Sequence, residues 1–433
     1  MTDFGPVFAG KRFALVGLGK AGMPAARRLR ALGAGLILWD DSSAARIAAK
    51  EEGFTIARAS ELDQSFDALI LSPGIPHHLP HPHKEAAWAL ATHTPIWTDA
   101  ELLYQAVRLS GSKARFAGIT GTNGKSTTTA LLAHILEVAQ IPHAAGANLG
   151  PAALSLPRLP DDGVYVLEMS SYMLERLGHL RFDAAAMLNL TPDHFERHGD
   201  MAGYRAAKRH IFDRQDTTST AIIFVDDEPS REMAASLEGT PAKRLKLSAK
   251  GQSAGAKALP GEHNAQNALA ASALARALGV SEAAIAQGIK TFPGLAHRAQ
   301  EVAVIGGVRF INDSKATNAD AASKAMGVEP KFVWIAGGVA KAGGIDDLAP
   351  YFPCIEHAYL IGQDGPAFAS QLAKAGVKAE FVATLERAVP AAFAAAKAGS
   401  HIVLFSPAAA SFDQFPNFEV RGDRFTQLVK ELP

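Results

Sequence analysis

RFAGITGTNGKST, residues 115–127, is the stretch of this chain that sets its fold class. Its first residues are mainly apolar and predict a short buried strand at 115–119, and a helix is predicted to run on to about Ala139. A glycine loop between a strand and a helix turns several backbone N–H groups toward one point, where the helix dipole also favours an anion. The stretch therefore predicts an α/β domain that binds phosphate.

The loop itself is predicted to bind ATP. Lys125 would reach the terminal phosphates, and the Ser126 hydroxyl would ligate Mg²⁺. The usual phosphate-loop pattern has glycine where this chain has Ile119, so an ordinary strand-to-helix turn is the alternative. The other residues predicted to contact ATP here are Gly121, Thr122, Asn123, Gly124 and Thr127.

A second glycine loop, Gly17–Gly22, follows a predicted strand at 13–16 and precedes a predicted helix. It fits the dinucleotide fingerprint, and Asp40 has the spacing of the acid that binds a ribose. Taken alone, the loop favours a nicotinamide-dependent oxidoreductase or a structural turn. Because another phosphate loop lies downstream, a UDP-sugar is the favoured ligand. A rigid loop at Ser72, Pro73 and Gly74 follows a later strand, where open α/β sheets bind ligands.

Three sections with alternating strands and helices follow one another, with predicted ranges of 1–110, 111–296 and 297–433. A chain of 433 residues has room for several domains. Further strands are predicted at 35–39, 68–71, 164–167, 184–190, 221–225, 308–311, 332–336, 358–361 and 402–405, and further helices at 202–214, 263–278 and 385–398. The predicted class is α/β with mostly parallel sheets.

The composition of the chain limits the kinds of binding partner and the compartment that are expected. Lys and Arg number 43, as do Asp and Glu, so the zero net charge gives no indication of nucleic acid or a membrane surface. Cys354 is the single cysteine, which excludes an internal disulfide. No uncharged apolar stretch reaches the roughly 20 residues that span a bilayer, and no leader pattern is present. The cytoplasm is the expected compartment.

Candidate metal ligands follow strands of the middle section. Glu168 comes directly after the predicted strand at 164–167, where a carboxylate beside a phosphate loop is placed to hold Mg²⁺. His194 follows another strand, although hard cations prefer oxygen to imidazole. Lys208, judged by its residue type and predicted helix alone, is expected to be a surface lysine.

These motifs together resemble the Mur ligase family of cell-wall synthesis over essentially the whole chain. The C-terminal run Ser406–Phe415, with Asn417–Glu419 and Arg421-Gly422, is similar to the members that add glutamate. The chain departs from the family pattern at Val339, Met173, Ala21 and Asp41–Ser43. The other marks, in order, are Thr120–Thr127, Glu168 with Ser170-Ser171, Asn189–His194, Gly261–Asn264 with Asn267, His297-Arg298 and Asn312–Asn318.

The resemblance implies an ATP-dependent ligase of three domains: a Rossmann-like UDP-substrate domain, a central P-loop ATP domain and a Rossmann-like amino-acid domain. ATP would phosphorylate the carboxylate of UDP-N-acetylmuramoyl-L-alanine, and D-glutamate would displace phosphate from the acyl phosphate. The acceptor amino acid could instead be L-glutamate or another amino acid. Two other classes of protein also stay open, a nicotinamide-dependent oxidoreductase and a nucleotide-binding regulator without catalysis. The expected protein is a monomer without nucleic-acid or membrane partners.

The resemblance also implies roles for individual residues. Two Mg²⁺ ions would be held by Ser126, Glu168, His194 and Lys208, the last as a carbamate whose oxygens suit a hard cation. Lys125, Glu168, His194 and Lys208 form the implied catalytic set. The implied ATP contacts outside the loop are Asn267 at the adenine, Arg298 at the phosphates, Asp313 at the ribose and Lys315 at the reaction centre. The implied UDP-substrate contacts are Gly17, Gly19, Lys20, Ala21, Asp40, Ser72, Pro73, Gly74, Asn148 and His194. Glutamate would be held by Thr317, Lys341, Ser411 and the backbone at Phe418, since a lysine and hydroxyls suit two carboxylates.

Overall fold

The structure, a computed structural model, describes residues 3–256, 258–259, 261–341 and 343–433. The chain forms three α/β sheets and divides into two compact units, one extending to Phe292 and the other comprising Pro293–Pro433. The predicted α/β class is confirmed. The predicted domain ranges stay predictions, because the two units do not separate the first two sheets. Among the described residues, no helix is long and apolar enough to cross a bilayer.

The first sheet has five parallel strands, which are β1 (Arg12–Val16), β2 (Gly35–Trp39), β3 (Thr55–Ile56), β4 (Ala68–Leu71) and β5 (Ile96–Trp97). They lie in the order β3-β2-β1-β4-β5. The connections change direction between β1 and β4, where open parallel sheets bind ligands. The helices of this section are α1 (Gly22–Ala31), α2 (Ser43–Glu51), α3 (Lys84–Ala91) and α4 (Asp99–Leu109).

The second sheet has six parallel strands, which are β6 (Arg115–Thr120), β7 (His143–Ala147), β8 (Val164–Glu168), β9 (Ala184–Met187), β10 (Thr220–Phe224) and β11 (Lys243–Leu247). Their order is β11-β10-β9-β6-β8-β7, so β6 lies between β8 and β9. The loops after these three strands therefore meet at one edge. The helices are α5 (Lys125–Val138), α6 (Ser171–Leu174), α7 (Phe195–His198), α8 (Met201–Arg209), α9 (Glu228–Ser236), α10 (Glu262–Ala277) and α11 (Glu282–Thr291).

The third sheet forms the core of the second unit, and its strands are β12 (Gln300–Ile305), β13 (Val308–Asn312), β14 (Phe332–Gly337), β15 (Ile355–Ile361), β16 (Ala379–Ala383) and β17 (Ile402–Phe405). The order is β12-β13-β17-β14-β15-β16, and the pairing is parallel except between β12 and β13. The helices are α12 (Ala319–Met326), α13 (Gly365–Lys374), α14 (Leu385–Lys397) and α15 (Phe418–Lys430). Strands β13, β17 and β14 are neighbours, so the loops after them lie side by side.

Two predicted elements are too long. The strand predicted at 184–190 ends at Met187, because Leu188 and Leu190 stay buried beside the glycine loop and prolong the apolar pattern beyond the strand. The helix predicted at 202–214 ends at Arg209, and the apolar pattern continues through the buried turn at Ile211 and Phe212. The edge strands β3, β5, β7, β11, β12 and β16 are not predicted. The strands β3 and β5 have only two residues each, and the other four include few buried residues, so the pattern of a buried strand is weak.

A buried carboxylate joins the first and second sheets. Glu101 on α4 is 0% exposed. Its Oε2 accepts hydrogen bonds from the backbone N–H groups of Gly178 (3.0 Å) and Leu180 (2.9 Å), and its Oε1 accepts one from His179 N (2.9 Å). These charge-assisted bonds attach α4 to the segment that leads into β9.

We expect Glu101→Ala to destabilise the first unit by about 3 kcal/mol, because three backbone N–H groups, including that of the buried Leu180, lose a buried acceptor. Urea unfolding followed by circular dichroism would measure the loss. Glu137→Ala is the control, since the Glu137 side chain is 73% exposed and its removal should cost no more than about 0.5 kcal/mol. Equal unfolding midpoints for the two variants would contradict this account of Glu101.

Candidate active site

The glycine loop connects β6 to α5, as the sequence predicts. Gly124 has φ 86°, and a Cβ there would lie 2.2 Å from Asn267 Oδ1. The position therefore requires glycine for both its conformation and its space. Asn267 is buried beneath the loop and accepts a hydrogen bond from Thr128 Oγ1 at 3.2 Å. In this structure Asn267 supports the loop, and its contact with adenine stays a prediction.

Two further side chains shape the interior of the loop. Lys125 Nζ donates hydrogen bonds to the carbonyls of Gly121 (2.9 Å) and Thr122 (2.7 Å), so the amine lies over its own loop. Asn189 Oδ1 accepts a hydrogen bond from Asn123 N (2.9 Å), and its Nδ2 donates to Asn123 O (3.2 Å). Asn189 thus fastens the loop after β6 to the segment after β9.

Glu168 lies at the end of β8, as predicted, and is 2% exposed. Its Oε1 accepts a hydrogen bond from Asn148 Nδ2 at 2.7 Å, whereas its buried Oε2 has no hydrogen-bond partner. A buried carboxylate oxygen without a partner is uncommon, and it is a fitting ligand for a hard cation. Asn148 therefore positions Glu168, and its predicted contact with the muramoyl substrate stays a prediction.

Lys208 is buried at 1% exposure, so the expectation of a surface lysine, drawn from its residue type alone, is wrong. Its Nζ donates to Gly121 O (2.9 Å) and Thr120 Oγ1 (3.2 Å). Burial, aided by the positive charge of Lys125, lowers the pKa of Lys208 well below its ordinary value, while Asp193 and Glu168 oppose the shift. A lysine with a lowered pKa has a larger neutral fraction, and the neutral amine is its nucleophilic form.

His194 has a left-handed backbone with φ 56° and follows β9 at the same edge. Its Nδ1 lies 2.8 Å from the Tyr172 hydroxyl, and its ring lies 6.2 Å from the Tyr204 ring. Lys208 Nζ lies 4.8 Å from the same Tyr204 ring, so His194 and Lys208 flank one aromatic side chain. Sequence reasoning assigned no role to either tyrosine. The aromatic residue after Ser170-Ser171 was the only available signal.

The side chains at this edge supply only some of the ligands that a metal ion would need. Across the residues described, no three His, Cys, Asp or Glu side chains form a group that could hold a metal ion unaided. Glu168 supplies one unpartnered oxygen, and the buried Ser126 hydroxyl lies in the first turn of α5. An ion here would need further oxygens from phosphate, water or a modified side chain.

An open pocket of about 390 Å³ lies at the switch point of the first sheet. Asp40 does not face it with free oxygens, because Oδ2 accepts from Leu18 N (2.7 Å) and Oδ1 from Ser42 N (2.8 Å). Asp40 therefore shapes the glycine loop. The pocket is lined by the predicted residues Gly17, Gly19, Lys20, Ala21, Asp40, Ser72 and Pro73, and by Val16, Asp41, Ile75 and His83, which were not predicted. Gly74, Asn148 and His194 are not among its lining residues.

Arg176, which follows α6, fastens the rim of this pocket to the second sheet. Its guanidinium donates to the carbonyls of Leu71 and Ser72 (both 3.0 Å) and also to that of Ile75. Burial lowers the pKa of Arg176 to about 9. No sequence pattern marks this residue, because its partners, three backbone carbonyls and the His77 ring, lie about 100 positions away.

The residues predicted to hold glutamate follow strands of the third sheet. Thr317 is in the loop after β13, Lys341 in the loop after β14 and Ser411 in the loop after β17. Phe418 begins α15, and its ring lies 4.1 Å from Lys315 Nζ. Ser411 is buried and Lys341 is exposed. The residues thus belong to neighbouring loops of one sheet edge.

Asp313, predicted at the ATP ribose, is buried at the end of β13. Its Oδ2 accepts from Ser406 Oγ (2.7 Å) and its Oδ1 from Ala299 N (3.1 Å). Burial raises the pKa of Asp313 to about 7, although these bonds and the charge of Arg298 act in the opposite direction. Arg298 is half-buried in the same unit.

Known proteins resemble the chain over nearly its full length. A family profile described as "Mur ligase middle domain" matches residues 119–258, and one described as "Mur ligase, glutamate ligase domain" matches residues 297–408. The UDP-N-acetylmuramoylalanine--D-glutamate ligase of Paramagnetospirillum magneticum is 48% identical, covering 98% of this chain and 97% of its own. The protein of that name from Caulobacter vibrioides is 46% identical with the same coverage.

Solved structures share the fold. The UDP-N-acetylmuramate-alanine ligase of Thermotoga maritima aligns with a TM-score of 0.56 at 20% identity, covering 97% of this chain and 99% of that one. A crystal structure of MurF from Acinetobacter baumannii aligns with a TM-score of 0.55 at 19% identity, covering 76% of this chain and 80% of that one.

The raised pKa of Asp313 predicts how stability depends on pH. Since the folded carboxyl holds its proton up to about pH 7 while the unfolded one loses it near pH 4, folding stability falls as pH rises through this window. This residue should contribute a slope of up to about 1.4 kcal/mol per pH unit. Asp313→Asn should flatten the dependence of the free energy of unfolding on pH. Urea unfolding at roughly pH 5, 6 and 7, between the unfolded and the folded pKa of Asp313, would measure this dependence. Parallel curves for the two proteins would refute it.

Proposed function

Because the chain belongs to the Mur ligase family, we propose that it is an ATP-dependent ligase that joins D-glutamate to UDP-N-acetylmuramoyl-L-alanine in peptidoglycan precursor synthesis. The observation that carries the proposal is the meeting of the glycine loop, Glu168 and Lys208 at one sheet edge in a chain whose full-length relatives bear that name. The predicted monomeric state and cytoplasmic location stay predictions.

The chemistry proposed for this edge is phosphoryl transfer from ATP to a carboxylate. The N–H groups of the loop and the N-terminus of α5 would hold the phosphates, and Lys125 would leave its loop carbonyls to neutralise their charge. Such a transfer needs positioning and charge neutralisation rather than a covalent enzyme intermediate. The phosphate-binding loop and the Lys125 amine lie at the same sheet edge, and this arrangement supports the proposed step.

The residues at this edge fit Mg²⁺. Glu168 Oε2, the Ser126 hydroxyl and a carbamate on Lys208 would supply oxygens, and His194 would add a nitrogen. Bound Mg²⁺ would neutralise the negative charge between the terminal phosphate and the incoming carboxylate. The buried Oε2 of Glu168, which has no hydrogen-bond partner, supports this proposal. Burying such an oxygen costs free energy, and a bound cation would offset that cost. We propose two ions, as the family resemblance implies.

Lys208 is proposed to be carbamylated. The lone pair of its neutral amine would form a C–N bond to carbon dioxide while one C=O π bond opens onto its oxygen, and the N–H proton would leave to solvent. Burial favours this reaction, because it lowers the pKa of the amine and so increases its neutral fraction. The product is an anionic oxygen donor among the groups that would hold the ion.

The acceptor amino acid is proposed to bind on the third sheet. The ammonium of Lys341 and the hydroxyls of Thr317 and Ser411 suit the two carboxylates of glutamate. The backbone N–H at the start of α15, near Phe418, adds a donor at a helix N-terminus. The glutamate amine would then attack the acyl phosphate and release phosphate.

We expect purified protein with ATP, Mg²⁺ and UDP-N-acetylmuramoyl-L-alanine to release phosphate when D-glutamate is added. A coupled phosphate assay would compare D-glutamate, L-glutamate and L-alanine as acceptors. L-glutamate alone would keep the reaction and change its stereochemistry, whereas L-alanine alone would indicate another ligase of the family. Release with none of the three, together with a substrate-dependent absorbance change of added nicotinamide cofactor, would replace the proposal with an oxidoreductase.

A carbamate on Lys208 should appear as a protein-bound carbonyl signal in ¹³C NMR after incubation with ¹³C-bicarbonate. Lys208→Arg should lose both this signal and roughly 100-fold or more of kcat, since arginine stays protonated and cannot be carbamylated. Lys246→Arg, a surface change at a side chain that is 50% exposed, should keep both. A wild-type protein without the signal, yet fully active, would contradict the carbamate.

A further inference from the structure

A buried arginine lies beneath the proposed glutamate site, and none of the roles above uses it. Arg421 on α15 is 1% exposed. Its Nε donates to Ser314 Oγ (3.0 Å), one terminal nitrogen donates to Ser314 O (2.8 Å), and the other donates to Ala409 O (2.9 Å). These partners are a hydroxyl and two carbonyls. The guanidinium therefore acts here through the geometry of its donors rather than through an ion pair.

The partners of Arg421 belong to two neighbouring loops. Ser314 lies after β13, three residues before Thr317, and Ala409 lies after β17, two residues before Ser411. The two strands are paired along their length. One planar group thus sets the distance between two loops that each carry a proposed glutamate contact.

A backbone bridge adds the third loop. Val339, after β14, and Ala410, after β17, exchange two N–H···O hydrogen bonds of 2.8 Å. Gly338 has φ 135°, and a Cβ there would lie 2.1 Å from Ala410 O and 3.3 Å from a terminal nitrogen of Arg421. The loop that carries Lys341 therefore passes Ala410 and the guanidinium with no room for a side chain at Gly338.

The same network reaches the start of α15. Ser314 Oγ, which accepts from Arg421, donates to Phe418 O at 2.8 Å. The segments that carry the four proposed contacts to glutamate are therefore all connected to the Arg421 side chain by hydrogen bonds, either directly or through Ser314 and Ala410. Only arginine offers several donors in a fixed plane, and lysine has a single nitrogen that cannot replace bonds to both loops.

We propose that Arg421 is a positioning residue for the amino-acid pocket, holding the loops of Thr317, Ser411 and Lys341 at the spacing that a dicarboxylate acceptor needs. The inference rests on the function proposed above. Arg421 is buried and acts through its neighbours. Small displacements of binding groups are costly, because a shift of about 1 Å can lower a rate by as much as 10²-fold.

The test compares Arg421→Lys and Arg421→Gln with the matched changes Arg424→Lys and Arg424→Gln. Arg424 lies one turn further along α15 and pairs at the surface with Glu386 at 2.9 Å. We expect the Arg421 variants to raise KM for D-glutamate by roughly tenfold or more, with KM for ATP and for the UDP substrate changed less than about twofold. The lysine variant should be affected less than the glutamine variant in melting temperature, yet similarly in KM. The Arg424 variants should match the wild type.

Assays well below each variant's melting temperature separate positioning from folding. Equal increases in all three KM values, or lower stability with unchanged KM for D-glutamate, would overturn the inference and leave a purely structural arginine. A wild type that uses another amino acid would overturn the proposed function, and the same KM comparison would then be made with that acceptor. If the wild type uses none, or if the glutamine variant does not fold, amide hydrogen exchange of Arg421→Lys decides. Faster exchange confined to 314–317, 339–341 and 409–411 would support the inference, and exchange equal to that of Arg424→Lys would overturn it.

Discussion

Parallel strand pairing is the constraint on which the rest of the molecule depends. Every strand in a parallel run ends at the same sheet edge, so loops that are distant in the chain become neighbours. In the second sheet this brings the loops after β6, β8 and β9 together, and with them Lys125, Glu168 and His194. In the third sheet the same rule places the loops after β13, β17 and β14 side by side. The site residues are therefore placed by topology before any side-chain contact is made.

Burial then sets the chemistry at the edge of the second sheet. Lys208 would be an ordinary cation in water, but α8 places its amine against Thr120 and Gly121 and removes solvent. Glu168 is buried with one oxygen satisfied by Asn148 and the other without a partner. Both groups are costly for folding as they stand, because buried charge needs compensation. Such groups are typical of sites whose compensation comes from a ligand.

Much of the fold follows from short-range pattern, and parts of the candidate site do as well. Apolar runs predict the central strands, and the glycine loops at Gly17 and Gly121 predict where phosphates would bind. The burial of Lys208 is not predictable from its helix, since it depends on where α8 crosses the loop after β6. The contacts of Arg176 and Arg421 are equally invisible, because most of their partners lie about 100 positions away in the chain. The edge strands are not predicted for another reason, since they are short or partly exposed and so lack the pattern of a buried strand. The roles assigned to individual site residues stay predictions.

The attachment made by Arg176 has a consequence for substrate choice. Its bonds to the carbonyls of Leu71, Ser72 and Ile75 join the rim of the first-sheet pocket to the segment that follows Glu168. The first unit therefore holds the first-sheet pocket at a set distance from the glycine loop. Under the proposed function, this distance selects the UDP substrate by length, because only a molecule that reaches from the pocket to the glycine loop brings its carboxylate to the phosphate.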